Sequence, residues 1–506
     1  MTRHIAVLLT AALAALIFRV PAFAGSTQVL ATSDQIPLGG SSPIGHLAYI
    51  FLNNNGVVAF STISATSGIY LAHGTNVTLV AQVGALTPDG IKTYGSVIPY
   101  QLTQNNQVVF YCEQGPTFDE RFYLADDHSI RLLVRSDESL PDGTGRFLYN
   151  DGSANSNGQF AFSSETYDNK NQFSGNHIFL LTGDQLSQIA SDGQAGPGGA
   201  PFTSIYDYRP AINNSGQILF AATYANGPVF SLVRFDGTTY TELYHSGVSP
   251  RGDGTVIALD NYVFNNLGQA AFSVPDIVGD STVFTNWHPA LFRSDGNSLV
   301  EVLQSGDPAP GGSGIISTDI NPNSRTTQPL FNNAGQLAFL ASITGSNGGA
   351  TDGIGIFITD STATSLSEVA RVGQQAPDGN GFLSFPASLA SPLSSTIALN
   401  DHGDLAILCQ LTGTSGGAND DSALYLWSNG HLVQIAHEGD HLLGSTIQSL
   451  RAIQLNNADQ VAYGFVLADG RTGVALWSVP EPSSLILFTF ALVAMTNTRW
   501  RNPTPI

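Results

Sequence analysis

Basic charge is what this sequence has least of. Lys92 and Lys170 are its two lysines, and all Lys and Arg together number 18 against 39 Asp and Glu, a formal charge of -21 over 506 residues. Such a chain repels the phosphates of nucleic acid and anionic membrane surfaces, so neither is expected as a partner. Charged residues of all kinds make up 11% of the sequence, and almost no stretch carries the 3.6-residue apolar period of a surface helix. Cysteine is scarce as well: Cys112 and Cys409 lie in different parts of the chain and read as buried free thiols rather than a bridge. There is no G-x-S-x-G elbow, phosphate loop, calcium-binding nonapeptide or cysteine-rich metal cluster. Glycine is plentiful instead, with 53 residues, and the composition is that of a turn-rich all-β protein. A net negative chain leaves cationic ligands, neutral glycans and calcium open, and no other cofactor is expected.

The two ends differ from what lies between. Arg3 and His4 precede the apolar run IAVLLTAALAALIF, and Ala22-Phe23-Ala24 forms a small-residue cleavage site before Gly25. Residues 1–24 therefore read as a secretory leader removed by signal peptidase. At the other end, residues 479–506 hold a polar hinge, Val479-Pro480-Glu481-Pro482, then the short apolar stretch SSLILFTFALVAM, then Arg499, Trp500 and Arg501. Hinge, apolar helix and basic stop in this order suit transient membrane insertion. The segment resembles the PEP-CTERM sorting signal of exported bacterial proteins. That resemblance implies processing by an exosortase-type enzyme near Pro480-Glu481-Pro482, with Arg499 and Arg501 as the basic stop. Its apolar run is shorter than usual, and several residues follow the arginines. The expected location is the cell surface or the extracellular space, with a C-terminal membrane segment before processing.

Residues 25–478 repeat. Eight times an Asn corner leads to an aromatic or large apolar residue: NNNGVVAF to Phe60, QNNQVVF to Phe110, NSNGQFAF to Phe162, NNSGQILF to Phe220, NNLGQAAF to Phe272, NNAGQLAF to Phe339, NDHGDLAI to Ile407 and NNADQVAY to Tyr463. The spacing varies from 50 to 68 residues, a fixed unit with elastic loops. The Asn side chain closes a turn and the Gly supplies positive φ, so each corner opens an alternating strand. A second strand follows a variable loop, as in GIYLA, RFYLA and ALYLW. A hairpin such as Asp236-Gly237, Asp295-Gly296 or Asn429-Gly430 then leads to a third strand ending in a Pro-Gly turn, as in VLQSGDPAPGG. A fourth strand runs on to the next corner. Four short strands repeated radially describe a β-propeller blade.

The eighth unit stops at VALWSV without its full set of strands, while STQVLATSDQIPLGG after the leader supplies a strand and turn of the missing kind. Closing the ring with the N-terminal strand explains both and hides the edges that an open array would expose. An eight-bladed propeller is therefore expected. The corners resemble the tandem-repeat proteins named for their NxxGxxAF motif, and Asn332 to Phe339 is a close match. Units two, seven and eight depart at the Gly or the aromatic position. The resemblance implies a surface repeat protein with no assigned catalytic residues.

Two motifs invite a sharper reading. His437-Glu438-Gly439-Asp440-His441 fits H-E-x-x-H, which grips zinc only on a helix. Aligned with its sister segments, however, it falls in the third strand of its unit and the turn after it, where other units hold Pro308. Arg251-Gly252-Asp253 spells an adhesion tripeptide but falls in a Pro-Gly turn. Binding is expected instead on the face where the polar loops between second and third strands, counted from the channel, converge. The candidates there are Asp119, Glu120, Arg121, Asp168, Asp276, Trp287, His288, Asp420 and Asp421, with Trp287 and His288 placed to stack on a sugar. The reading is a non-enzymatic exported propeller binding a glycan or a surface protein. A polysaccharide hydrolase or lyase on the same scaffold is the alternative.

Overall fold

The computed structural model describes residues 25–479 apart from 64–66, 115–118, 141, 149–150, 207–208, 226, 228–229, 249–254, 257–258, 260, 275–276, 279–289, 312–313, 318–328, 346–352 and 386–395. Every corner motif starts the second strand of a blade. In blade 1 the antiparallel order from the axis outward is Leu47–Leu52, Val58–Thr62, Gly68–His73 and Asn76–Gln82. Blade 2 repeats it with Ile98–Leu102, Val108–Gln114, Asp119–Ala125 and Ile130–Arg135. The other blades are built around second strands Phe160–Asp168, Ile218–Tyr224, Ala270–Val274, Leu337–Thr344, Leu405–Thr412 and Val461–Leu467. The innermost strands touch in sequence around a closed ring, and that of blade 8 (Ser445–Leu455) returns to Leu47–Leu52. The protein is an eight-bladed β-propeller.

Closure runs through the chain ends as expected. Ser26–Thr32 pairs antiparallel with Thr472–Ser478 as the outermost strand of blade 8, with Ser26 opposite Ser478. Both cysteines are buried thiols outside any disulfide, Cys409 with its thiol pushed far up by burial.

The aromatic of each corner motif is sealed between blades and pairs across to the third strand. Phe60 stacks on Tyr70, Phe110 on Tyr123, Phe162 on Phe179 and Phe272 on Phe292, with centroids 5.1 to 5.6 Å apart. Such pairs add about 0.5–1.5 kcal/mol beyond the area they bury. Where the units depart from the motif, Ile407 faces Tyr425 in blade 7 and Tyr463 faces Ala475 in blade 8, all four buried.

The leading Asn does more than close its own turn. In Asn213 the side-chain oxygen accepts from the N–H of Ser215 and Gln217, while Nδ2 donates to Gln217 Oε1 and to the carbonyl of Asn265 in the next blade. The same bond to the following blade runs from Asn53 to Thr103, Asn155 to Asn213, Asn265 to Asn332, Asn332 to Asn400 and Asn400 to Asn456. It closes from Asn456 back to Asn53 at 2.9 Å, across 403 residues of sequence. One seam lacks it, because Thr103 has no amide to donate. A second circuit joins the next position: the N–H of Asn214 meets Asn266 Oδ1, that of Asn266 meets Asn333 Oδ1, and that of Asn457 meets Asn54 Oδ1. Buried bonds of this kind are worth about 1 kcal/mol each, and orphaning one partner costs more.

Candidate ligand-binding site at the channel mouth

Antiparallel order sends the Asn corners and the third-to-outer hairpins to one face of the disc, and the second-to-third loops and Pro-Gly turns to the other. The inner strands of blades 3, 4, 6 and 7 are each split into two segments, and in blade 4 the split lies midway along the strand, level with the corner-motif aromatic. Phe202–Ile205 and Ala211–Ile212 both pair with Ile218–Tyr224, and the intervening residues leave the ladder. Pro210 offers no N–H to a ladder, which suits this break. Arg209 lies on the excursion, exposed at the channel side.

Arg209 reaches across two blades. Its Nε donates to the carbonyl of Gly152 in the inner strand of blade 3 at 2.7 Å, and its guanidinium lies 4.6 Å from the ring centre of Tyr100 in blade 2. Tyr262, on the inner strand of blade 5 (Asn261–Phe264), donates its hydroxyl to the Arg209 carbonyl at 2.8 Å. Tyr100 is braced edge-on by Phe122 at 5.2 Å and adjoins Tyr111 at 6.4 Å. Among the described residues no carboxylate pairs with Arg209, so its remaining N–H groups face solvent in a strongly acidic protein. Arg451, on the inner strand of blade 8 across the ring, is also exposed. A fixed guanidinium between tyrosine rings is suited to a planar carboxylate on a ligand with apolar faces.

The residues singled out from sequence are placed as follows. Asp119, Glu120 and Arg121 begin the third strand of blade 2 instead of lying in a loop. Glu120 accepts the Tyr111 hydroxyl at 2.8 Å and is thereby one ring removed from Tyr100. Arg121 is buried and tied to Asp89 at 3.2 Å. Asp89 is held down at about 2, first by the Thr87 hydroxyl, then by the Ile91 N–H and Arg121. Asp168 ends the second strand of blade 3 and caps its turn through the N–H of Lys170 and Gln172. Asp276, Trp287 and His288 lie outside the described residues, as do Arg251-Gly252-Asp253, Pro480, Glu481, Pro482, Arg499 and Arg501.

Asp420 and Asp421 meet the H-E-x-x-H stretch in blade 7. That stretch is no helix: His437 ends the outer strand His431–His437, Gly439 turns at φ 91°, and His441–Leu442 pairs with Ser445 and Thr446. Its two histidines share no helical face, which removes the peptidase geometry. Instead the N–H of Asp421 donates to Glu438 Oε2 at 3.3 Å. Burial and the Asp421 carboxylate push Glu438 above the usual carboxyl range. His437 is buried beside it, with Nε2 making no hydrogen bond.

The expected C-terminal membrane segment is corrected. No helix among the described residues is long and apolar enough to cross a membrane, and the stretch on which that expectation fell lies outside them.

Sequence reasoning missed Arg209, Tyr100 and Tyr262. The one signal was positional: both tyrosines stand three residues before a corner, and Arg209 stands four before Asn213.

Fold and site thus define an eight-bladed propeller with an arginine and tyrosine cluster in its central channel. The chain belongs to a family of unknown function, DUF7453, whose model matches residues 52–486. No curated protein matches it. Among solved structures it is similar to the polysaccharide lyase Uly1, at 10% identity and a TM-score of 0.36 over 90% of this chain and 98% of that one. It is also similar to the Dos1 propeller, at 9% identity and a TM-score of 0.40 over 90% and 95%. The β-propeller domain of the Trilobed protease from Pyrococcus furiosus matches at 9% identity and a TM-score of 0.35 over 78% and 98%. At these identities the likeness is one of fold.

Proposed function

We propose that this chain is an exported, non-enzymatic propeller that binds an acidic glycan in its central channel, against the inner strands. The observation that carries the reading is Arg209, an exposed guanidinium without a carboxylate partner among the described residues, held over Tyr100 at 4.6 Å and anchored on Gly152. A uronate supplies both halves of the complement: a carboxylate for the fork and a sugar face for the rings. Export rests on the leader pattern of residues 1–24.

The purified chain is titrated with uronic-acid oligosaccharides and with neutral ones of equal length, while product release is followed in parallel. Binding of the acidic set, lost in Arg209→Ala and weakened in Arg209→Lys, supports the reading. Equal binding of neutral glycans, or none, removes the acidic specificity. Steady release of cleaved product replaces the non-enzymatic reading with a lyase or hydrolase.

A further inference from the structure

The face of the Asn corners carries a second cluster where the repeat departs from its own pattern. In the corner of blade 7, Asp404 stands where six other units hold Gln and His402 fills the variable slot; in that of blade 8, Asp459 stands where six units hold Gly. A nitrogen of His402 and carboxylate oxygens of Asp404 and Asp459 all lie within 4.8 Å of one another. His402 Nδ1 is 3.2 Å from Asp459 Oδ1. The buried Asn400 amide donates to Asp459 Oδ1 at 2.8 Å and to Asp404 Oδ2 at 3.3 Å. Divided in this way, it makes the longest of the Asn links to the following blade, 3.4 Å to the Asn456 carbonyl.

The seam between blades 1 and 2 shows what the fold itself requires at this place. There Asn106 takes the position of Asp459, with φ 61° against 55°, and its Oδ1 accepts from Asn53 Nδ2 at 2.8 Å and Asn55 Nδ2 at 3.2 Å. Neutral amides thus complete the same junction. Carboxylates and an imidazole at the blade 7–8 seam add charge for which the corner has no structural need. Among the described residues neither Asp404 nor Asp459 has a Lys or Arg partner, and the half-exposed His402 imidazole pairs with Asp459. Adjacent Asp401 is already occupied, taking amides from Asn333 and Asn457.

We propose that His402, Asp404 and Asp459 bind a divalent transition-metal cation of the zinc class, which bridges blade 7 to blade 8. One imidazole and two carboxylates form a nitrogen and oxygen donor set, which zinc accepts and which is poor in oxygens for calcium. The solvent side leaves room for water to complete the shell. The ion neutralises the two carboxylates and ties the seam beside the blade that the N-terminal strand closes.

The test uses the full-length chain, purified metal-free, and titrates zinc and, separately, calcium by calorimetry, with thermal melts in each. The comparison variant is Asp404→Gln with Asp459→Asn, which installs the residues other units already carry at these slots and so keeps the fold, as a metal-free melt checks. The expected result is one zinc per chain, a raised melting temperature with zinc, and at least tenfold weaker binding in the variant and in His402→Ala. The assignment falls if the parent takes up no zinc, if the variant binds it undiminished, or if calcium binds and zinc does not.

Discussion

The two faces of the disc are built by opposite rules. The corner face is nearly the same in every blade: an Asn, its turn and a bond to the next corner, at every seam but the one where Thr103 stands. The loops of the other face differ from blade to blade, and between the faces the inner strands of four blades are split, Arg209 standing on the split of blade 4. Uniformity on one side carries closure and stability, which frees the other to vary. Glu120 and Arg121 show the division within one strand, since Arg121 is spent on Asp89 while Glu120 points toward the tyrosines of the channel.

This contrast is most directly broken on the corner face. Asn213→Ala removes two turn bonds, the contact to Gln217 and the link to Asn265, whose carbonyl keeps only the Gly268 N–H of its own turn. A loss of about 3 kcal/mol is expected, read as a lower denaturant midpoint with an unchanged slope. In the channel Arg209→Ala is expected to cost acidic-glycan affinity at least tenfold, about 1.4 kcal/mol, while stability moves by about 1 kcal/mol or less. A larger fall in stability than in binding would place Arg209 with the structural residues. In the opposite direction, Thr103→Asn supplies the missing donor toward the Asn155 carbonyl. A gain of about 0.5–1 kcal/mol in chemical denaturation is expected, and no gain would mean that the seam is already satisfied.

The smallest effect concerns pH. Glu438 has its folded pKa raised by burial and by Asp421, so the folded state holds the proton more tightly than the unfolded chain. Its contribution is full below the ordinary glutamic acid pKa and is lost as pH rises through the raised value. Glu438→Gln is therefore expected to flatten the fall in melting temperature over that window and to leave acidic pH unchanged. A parallel profile in parent and variant would assign the slope to other groups.

Much of the fold was legible because the repeat compares the chain with itself. Eight corners fixed the number of blades, and the strand Ser26–Thr32 fitted the gap in the last one. The circuit of Asn amides was not legible, since a local reading of NNSGQ accounts for the oxygen of Asn213 and says nothing of where its nitrogen points. That Ile407 sits opposite Tyr425, as Phe60 sits opposite Tyr70, waited on the pairing register. The channel cluster was hidden for a different reason. Arg209, Gly152, Tyr100 and Tyr262 come from four blades, and no spacing in the sequence brings them together.

The pairing of Ser26–Thr32 with Thr472–Ser478 also sets an order of events. Blade 8 is the one sheet whose neighbouring strands are made at opposite ends of synthesis, and the N–H of Thr472 finds Ser33 Oγ across 439 residues. Until residue 478 has emerged, the earlier blades can form only an arc with two raw ends. Local hairpins assemble first and the slow, long-range step comes last, as the cost of closing so large a loop requires. The interval before that step is when the chain is most open to pairing with another copy of itself.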